Sequence, residues 1–147
     1  MDFALPLENK KISDSSLETK IREMLGENER ELFRIVTDLL PGGNYGQSLA
    51  EFTDRGIITA HREDGGDIVC DTVPYSDVDS LTIKRMYGNA FLLAVTKSGE
   101  KWQIARATYA VTALFNSAVL FIDKINFGVP TDEAMESVIS AYKSFCT

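Results

Sequence analysis

The sequence predicts an α+β domain in which seven short antiparallel strands are closed by one apolar helix, and three observations predict it. From Glu31 to Arg106 the chain alternates in short segments divided by turns rich in Gly, Asn, Asp and Pro. At Thr108 the alternation stops, and an almost wholly apolar stretch runs to Phe127. With 44% hydrophobic side chains, 147 residues can bury one core. Many strands followed by a single greasy helix describe a sheet whose open end the helix plugs.

The first element is a short helix, Ser16 to Leu25. Ser15 and Glu18 have the spacing of a capping box, and Leu17, Ile21, Met24 and Leu25 fall on one face. Strands are predicted at Glu31 to Leu39, Gln47 to Thr53, Ile57 to Arg62, Asp67 to Val73, Leu81 to Met86, Ala90 to Lys97 and Lys101 to Arg106. The turns between them are Pro41-Gly42-Gly43-Asn44, Asp54-Arg55-Gly56, Asp64-Gly65-Gly66, Tyr87-Gly88-Asn89 and Ser98-Gly99, with Pro74 to Asp79 as a longer interruption. Trp102 and Ile104 are expected on one face. Nearly every connection is a hairpin, so the strands should wrap into a half-open barrel or two crossed sheets.

The long helix carries Val111, Leu114, Phe115, Ala118, Phe121, Ile122 and Ile125 along one side, with Trp102 expected in the same core. Val119 and Leu120 spill beyond that stripe and ask for a second cover. Gly128-Val129-Pro130 ends the helix. Thr131 then caps another, with Asp132 and Glu133 in its first turn and Met135, Val138, Ile139, Tyr142 and Phe145 on one face. That last helix is the expected cover and a movable one.

A net charge of −7 argues against a nucleic-acid backbone or an anionic leaflet as partner. Cys70 and Cys146 lie far apart and suit free thiols. The segment Met1 to Glu8 does not read as an export signal. Ala110 to Ile122, about 13 residues, is shorter than a membrane span. These features predict a soluble, cytoplasmic chain, either free or tethered to the inner face of the membrane through a larger chain.

Little points to chemistry. His61 is the sole histidine and lies in a strand beside Arg62 and Glu63, so no Ser-His-Asp or Cys-His pair is assembled unless the fold brings Cys70 beside it. One histidine and two separated cysteines fall short of a zinc set, although Cys146 could join ligands outside this chain. The acids Asp77 and Asp79, and Glu63, Asp64 and Asp67, sit in turns, where local backbone hydrogen bonds favour them. No catalytic residue, cofactor or metal is expected. Lys84, Arg85, Lys97, Lys101 and Arg106 form the one clustered basic region, and the loop from Leu40 to Gln47 carries no cation. The candidate partner-binding residues are Tyr45, Tyr75 and Tyr87 at loops, with Met135 and Tyr142 on the last helix.

Three segments carry a resemblance. Thr53-Asp54-Arg55-Gly56-Ile57-Ile58-Thr59-Ala60, Val73-Pro74-Tyr75-Ser76-Asp77-Val78-Asp79-Ser80-Leu81 and Ala94-Val95-Thr96-Lys97-Ser98-Gly99-Glu100 through Trp102 resemble, in order, elements of bacterial pleckstrin-homology-like (PH-like) domains. The resemblance covers roughly Glu29 to Phe127. It implies a PH-like domain at 29–127, an N-terminal arm and short helix at 1–28, and an amphipathic helix or the start of a linker at 128–147. Leu39-Leu40-Pro41-Gly42-Gly43-Asn44-Tyr45-Gly46, with Ile104 to Ala107 and the helix ending Asp123-Lys124-Ile125-Asn126, looks like the N-terminal PH-like domain of certain bacterial ABC exporters. Membrane-spanning segments and a nucleotide-binding phosphate loop are missing from these 147 residues. The resemblance implies a non-enzymatic module that binds protein or peptide, the transmembrane or nucleotide-binding part of a transporter among them. A free-standing acidic chaperone or adaptor dimer for secretion substrates is the alternative, suited to the low pI and the amphipathic last helix.

Overall fold

A computed structural model describes residues 7–63, 66–108 and 113–146. In chain order the elements are β1 (Leu7–Glu8), α1 (Ser15–Met24), β2 (Glu31–Leu39), β3 (Tyr45–Thr53), β4 (Gly56–Arg62), β5 (Ile68–Pro74), a 3-10 turn (Tyr75–Asp77), β6 (Val78–Met86), β7 (Asn89–Thr96), β8 (Lys101–Thr108), α2 (Ala113–Asn126) and α3 (Thr131–Cys146). All seven expected strands are present. An eighth, β1, is only two residues long, too short to show a period, and it pairs parallel with β2 through Leu7↔Phe33 and Glu8↔Arg34. The strands form two open sheets, β1-β2-β3-β4-β5 and β6-β7-β8, so neither closes into a barrel. The chain divides into two compact units at Pro74. Among the described residues no helix is long and apolar enough to cross a membrane.

In the unit 1–74, α1 covers one face of the five-stranded sheet. Leu17 and Ile21, both fully buried, meet Val36, Leu49, Ile58 and Ala60, with Ile12, Leu25, Ile68 and Cys70 at the margin. Met24, expected on that face, is exposed. The helix is capped by Asp14, whose carboxylate accepts from the Ser16 amide at 3.1 Å. Arg62 donates to the same carboxylate and holds it below its usual range. The expected Ser15/Glu18 capping box is therefore not what starts the helix, because Glu18 turns instead to Arg34. The opposite sheet face carries Phe33, Ile35, Phe52 and Ile57, all buried, with the Phe33 and Phe52 rings stacked at 4.4 Å.

In the unit 75–147, the three-stranded sheet buries Leu81, Ala90, Leu92, Ala94, Ala105 and Ala107. Thr108 ends β8 rather than beginning a helix, and α2 is first described at Ala113; Val111 lies outside the described residues. Leu114, Phe115, Ala118, Phe121 and Ile122 are buried as expected. The helix packs against β6 and α3. Trp102 is only half-buried, since a bulge at Ile104, where Leu92↔Ala105 gives way to Leu93↔Gln103, interrupts the alternation. Gly128, at φ 93°, closes α2 in a Schellman turn through Val129 N to Lys124 O and Gly128 N to Ile125 O. Asn126 ties the helix end to β6 by donating to Asp79 O at 2.8 Å. From α3, Ala134, Met135 and Val138 are buried while Ile139 and Tyr142 are half-buried.

Candidate functional site

Charge divides with the units. Residues 1–74 hold 15 acidic and 8 basic side chains, residues 75–147 seven of each, so the net −7 resides in the first. Each unit has one unusual constellation of polar groups, buried in the first and exposed in the second.

The buried one centres on Arg34 of β2. Register places Glu8, Arg34 and Glu51 in one row across β1, β2 and β3, directly beside the apolar row that α1 covers. Arg34 and Glu51 are 2% and 0% exposed. Arg34 Nε and Nη2 both donate to Glu51 Oε1, at 2.8 and 2.6 Å, and Nη1 donates to Glu18 Oε2 at 2.7 Å. Glu8 stands 3.5 Å from Nη1 and Glu31 3.8 Å from Nη2. Strict alternation would point Glu31 and Arg34 to opposite faces. Between Glu31↔Thr53 and Phe33↔Phe52, however, β2 carries one extra residue, Leu32, and this bulge turns Glu31 back toward Arg34. Four carboxylates thus surround one guanidinium. Burial, with a hydrogen bond to the Glu31 carboxyl next in importance, pushes Glu51 up to about 8. Among the described residues Glu31 Oε1 and Glu51 Oε2 are buried and accept from no donor. Among the described residues no set of three or more His, Cys, Asp or Glu side chains is placed to hold a metal ion.

The exposed constellation is the β6–β7 hairpin tip. Met86↔Asn89 closes a two-residue loop whose residues both have positive φ, Tyr87 at 53° and Gly88 at 77°. Such a turn favours Asn-Gly. A tyrosine there is held in the left-handed region at roughly 1–2 kcal/mol, and its ring gains nothing in return from packing, being 91% exposed. Lys84, Phe91 and Arg106 share a row three strands wide beneath it. The Arg106 guanidinium lies 4.7 Å over the Phe91 ring and its Nε donates to Asn89 Oδ1 at 2.8 Å. The five clustered cations therefore do not form one patch. Lys84 and Arg106 share this row, Arg85 pairs with Ala90 on the other face, and Lys97 and Lys101 sit at the β7–β8 end.

The remaining candidates scatter. Tyr45, 92% exposed, begins β3. Tyr75 lies edge-on to Phe121 at 5.7 Å and is half-buried. Met135 is buried and Tyr142 half-buried on α3, whereas the Phe145 and Cys146 side chains lie outside the described residues. His61 Nε2 is 3.0 Å from Glu63 Oε1. Cys70 pairs with Ala60, the position next to His61, and so faces the other side of the sheet, which precludes a Cys–His dyad.

The segments that carry the family resemblance build turns. Thr53 Oγ1 accepts from the Arg55 and Gly56 amides at 3.0 and 3.1 Å, and a Cβ on Gly56 would stand 2.4 Å from Val73 O. Pro74-Tyr75-Ser76-Asp77 leads into the 3-10 turn, whose Asp77 O accepts from Lys97 N. Thr96 Oγ1 accepts from the Glu100 amide across the loop where Gly99 takes φ 91°. These residue types are explained by backbone geometry, without a ligand.

No family model matches the sequence, and no curated protein matches it. Among solved structures the chain is similar to a DUF1696 family protein with a pleckstrin-homology domain from Shewanella loihica PV-4, at 15% identity and a TM-score of 0.45, over 69% of this chain and 89% of that one.

Proposed function

We propose that this chain is a non-catalytic PH-like module that binds a protein or peptide, with the β6–β7 tip as its contact point. One observation carries the reading: Tyr87 is 91% exposed in a backbone conformation that disfavours tyrosine. Strain without a packing return is the signature of a residue kept for contact with something else. Lys84 and Arg106 in the row beneath suit a partner segment with acidic side chains. The finer reading, a cytoplasmic module at the N-terminus of a bacterial ABC exporter, rests on the sequence resemblance of Leu39 to Gly46, of Ile104 to Ala107 and of the helix end Asp123 to Asn126. Transmembrane and phosphate-loop sequences in the same reading frame as Thr147 are its direct test.

The contact itself is tested by a photo-crosslinking phenylalanine at position 87 in the source cells, with the same residue at exposed Thr82 as control. Discrete protein adducts from 87 alone are expected. Lipid adducts, or equal labelling from both positions, would refute the reading. Tyr87→Asn should stabilise the turn by about 1 kcal/mol while removing the contact.

A further inference from the structure

We propose that Glu51 keeps its proton at neutral pH, and that this proton, directed at the Glu31 carboxylate, fastens β1 and α1 to the β2–β3 ladder. Counting charge leads there first. Glu18 also pairs with Arg22 at 3.2 Å and Glu8 with Lys11 at 3.6 Å. With Arg34, three cations face the carboxylates of Glu8, Glu18, Glu31 and Glu51, and one proton makes the cluster neutral. Geometry says where it sits. Among the described residues Glu31 Oε1 and Glu51 Oε2 are the two buried side-chain oxygens that accept from no donor, and both carboxyls stand on Arg34 Nη2, at 3.8 and 2.6 Å. Burial first, and then the hydrogen bond to Glu31, favours the protonated form of Glu51 against the pull of Arg34. No titratable group intervenes from β4, which presents Ile58 opposite Glu51.

Proton loss leaves an uncompensated charge at the centre of the cluster. Its peripheral acids, Glu8 and Glu18, are the ones borne by β1 and α1, so repulsion loosens those two elements first. The direction with pH follows. Glu51 is raised in the folded state from 4.5 to about 8, so the folded protein binds a proton that the unfolded chain has released. The stabilisation is complete below the unfolded value and is lost as pH rises through the folded one.

Chemical denaturation of the full chain from pH 5 to 8 tests this. The wild-type folding constant should fall about tenfold per pH unit through this one proton. Glu51→Gln and Glu31→Gln, in which an amide replaces that proton, should each remove that slope. Either variant keeping the full wild-type slope overturns the proposal. Should one of them fail to fold, the other decides, together with the side-chain carboxyl 13C signals of the wild type. The Glu51 signal should remain in the protonated range at pH 6.5; an ionised Glu51 at pH 6 would refute the retained proton. Amide protection in α1 should fall relative to β4 between pH 6 and 9, and an unchanged ratio would refute the fastening.

Discussion

Replacing Arg34 by Met should be among the most damaging single changes in this protein, and the same substitution should be nearly harmless when Glu51 is replaced as well. Arg34→Met removes three hydrogen bonds of 2.6–2.8 Å to carboxylates, two to Glu51 and one to Glu18. Hydrogen bonds to charged groups contribute about 1.5–3 kcal/mol each. What decides the outcome is the Glu31/Glu51 pair, which with one proton carries one negative charge and loses the buried cation that both carboxyls face. Breaking a buried pair from one side costs about 3–5 kcal/mol. Arg34→Met with Glu51→Leu removes the buried guanidinium and the buried carboxyl together and leaves two apolar side chains in the row beside Val36 and Leu49. Glu8 and Glu18 keep Lys11 and Arg22 and retain contact with water. The double variant should lie within about 1–2 kcal/mol of wild type. Urea titrations at pH 7 on the two single variants and the double give the cycle. A double variant as unstable as the sum of the singles would refute the reasoning, as would an Arg34→Met that costs under about 1 kcal/mol.

Phe115→Ala, which empties a fully buried position in α2, should lower stability by about 3–5 kcal/mol, and an unchanged denaturant midpoint would mean that its face is wrongly assigned. Hydrogen exchange should release α3 before α2, since Ala134, Met135 and Val138 are its only buried residues among those described; equal protection would mark the two helices as one cooperative unit. Gly56→Ala drives a methyl to 2.4 Å from Val73 O and should destabilise by several kcal/mol, judged against the roughly 1–3 kcal/mol typical of overpacking. Gly42→Ala meets nothing within 4 Å and should leave the thermal midpoint within a few degrees of wild type.

The strands were legible because period-two alternation and turn residues are local signals, and β2 to β5 and β6 to β8 are each joined in sequence order by hairpins. The helices were legible from their apolar stripes. What escaped was non-local. A two-residue strand has no period, and β1 exists because Leu7 and Glu8 meet β2 across α1. The buried cluster left a trace in the sequence, one charge inside each of two apolar runs, Phe33-Arg34-Ile35 and Ala50-Glu51-Phe52. Their pairing needed the register, and the recruitment of Glu31 needed the bulge at Leu32, which nothing in the alternation announces. Tyr87 was legible as a turn residue; the sign of its φ was not.

The parallel pairing of β1 has a consequence for the order of folding. Strands β2 to β5 join through neighbouring hairpins, whereas Asn9 reaches Val36 across 27 residues, accepting from its amide and donating to its carbonyl. Local pairings form before those that close long loops. The meander is therefore expected first, with Glu51 still hydrated and ionised, and the docking of α1 and β1 last. Proton uptake then belongs to the docking step, whose rate should vary with pH while meander formation does not.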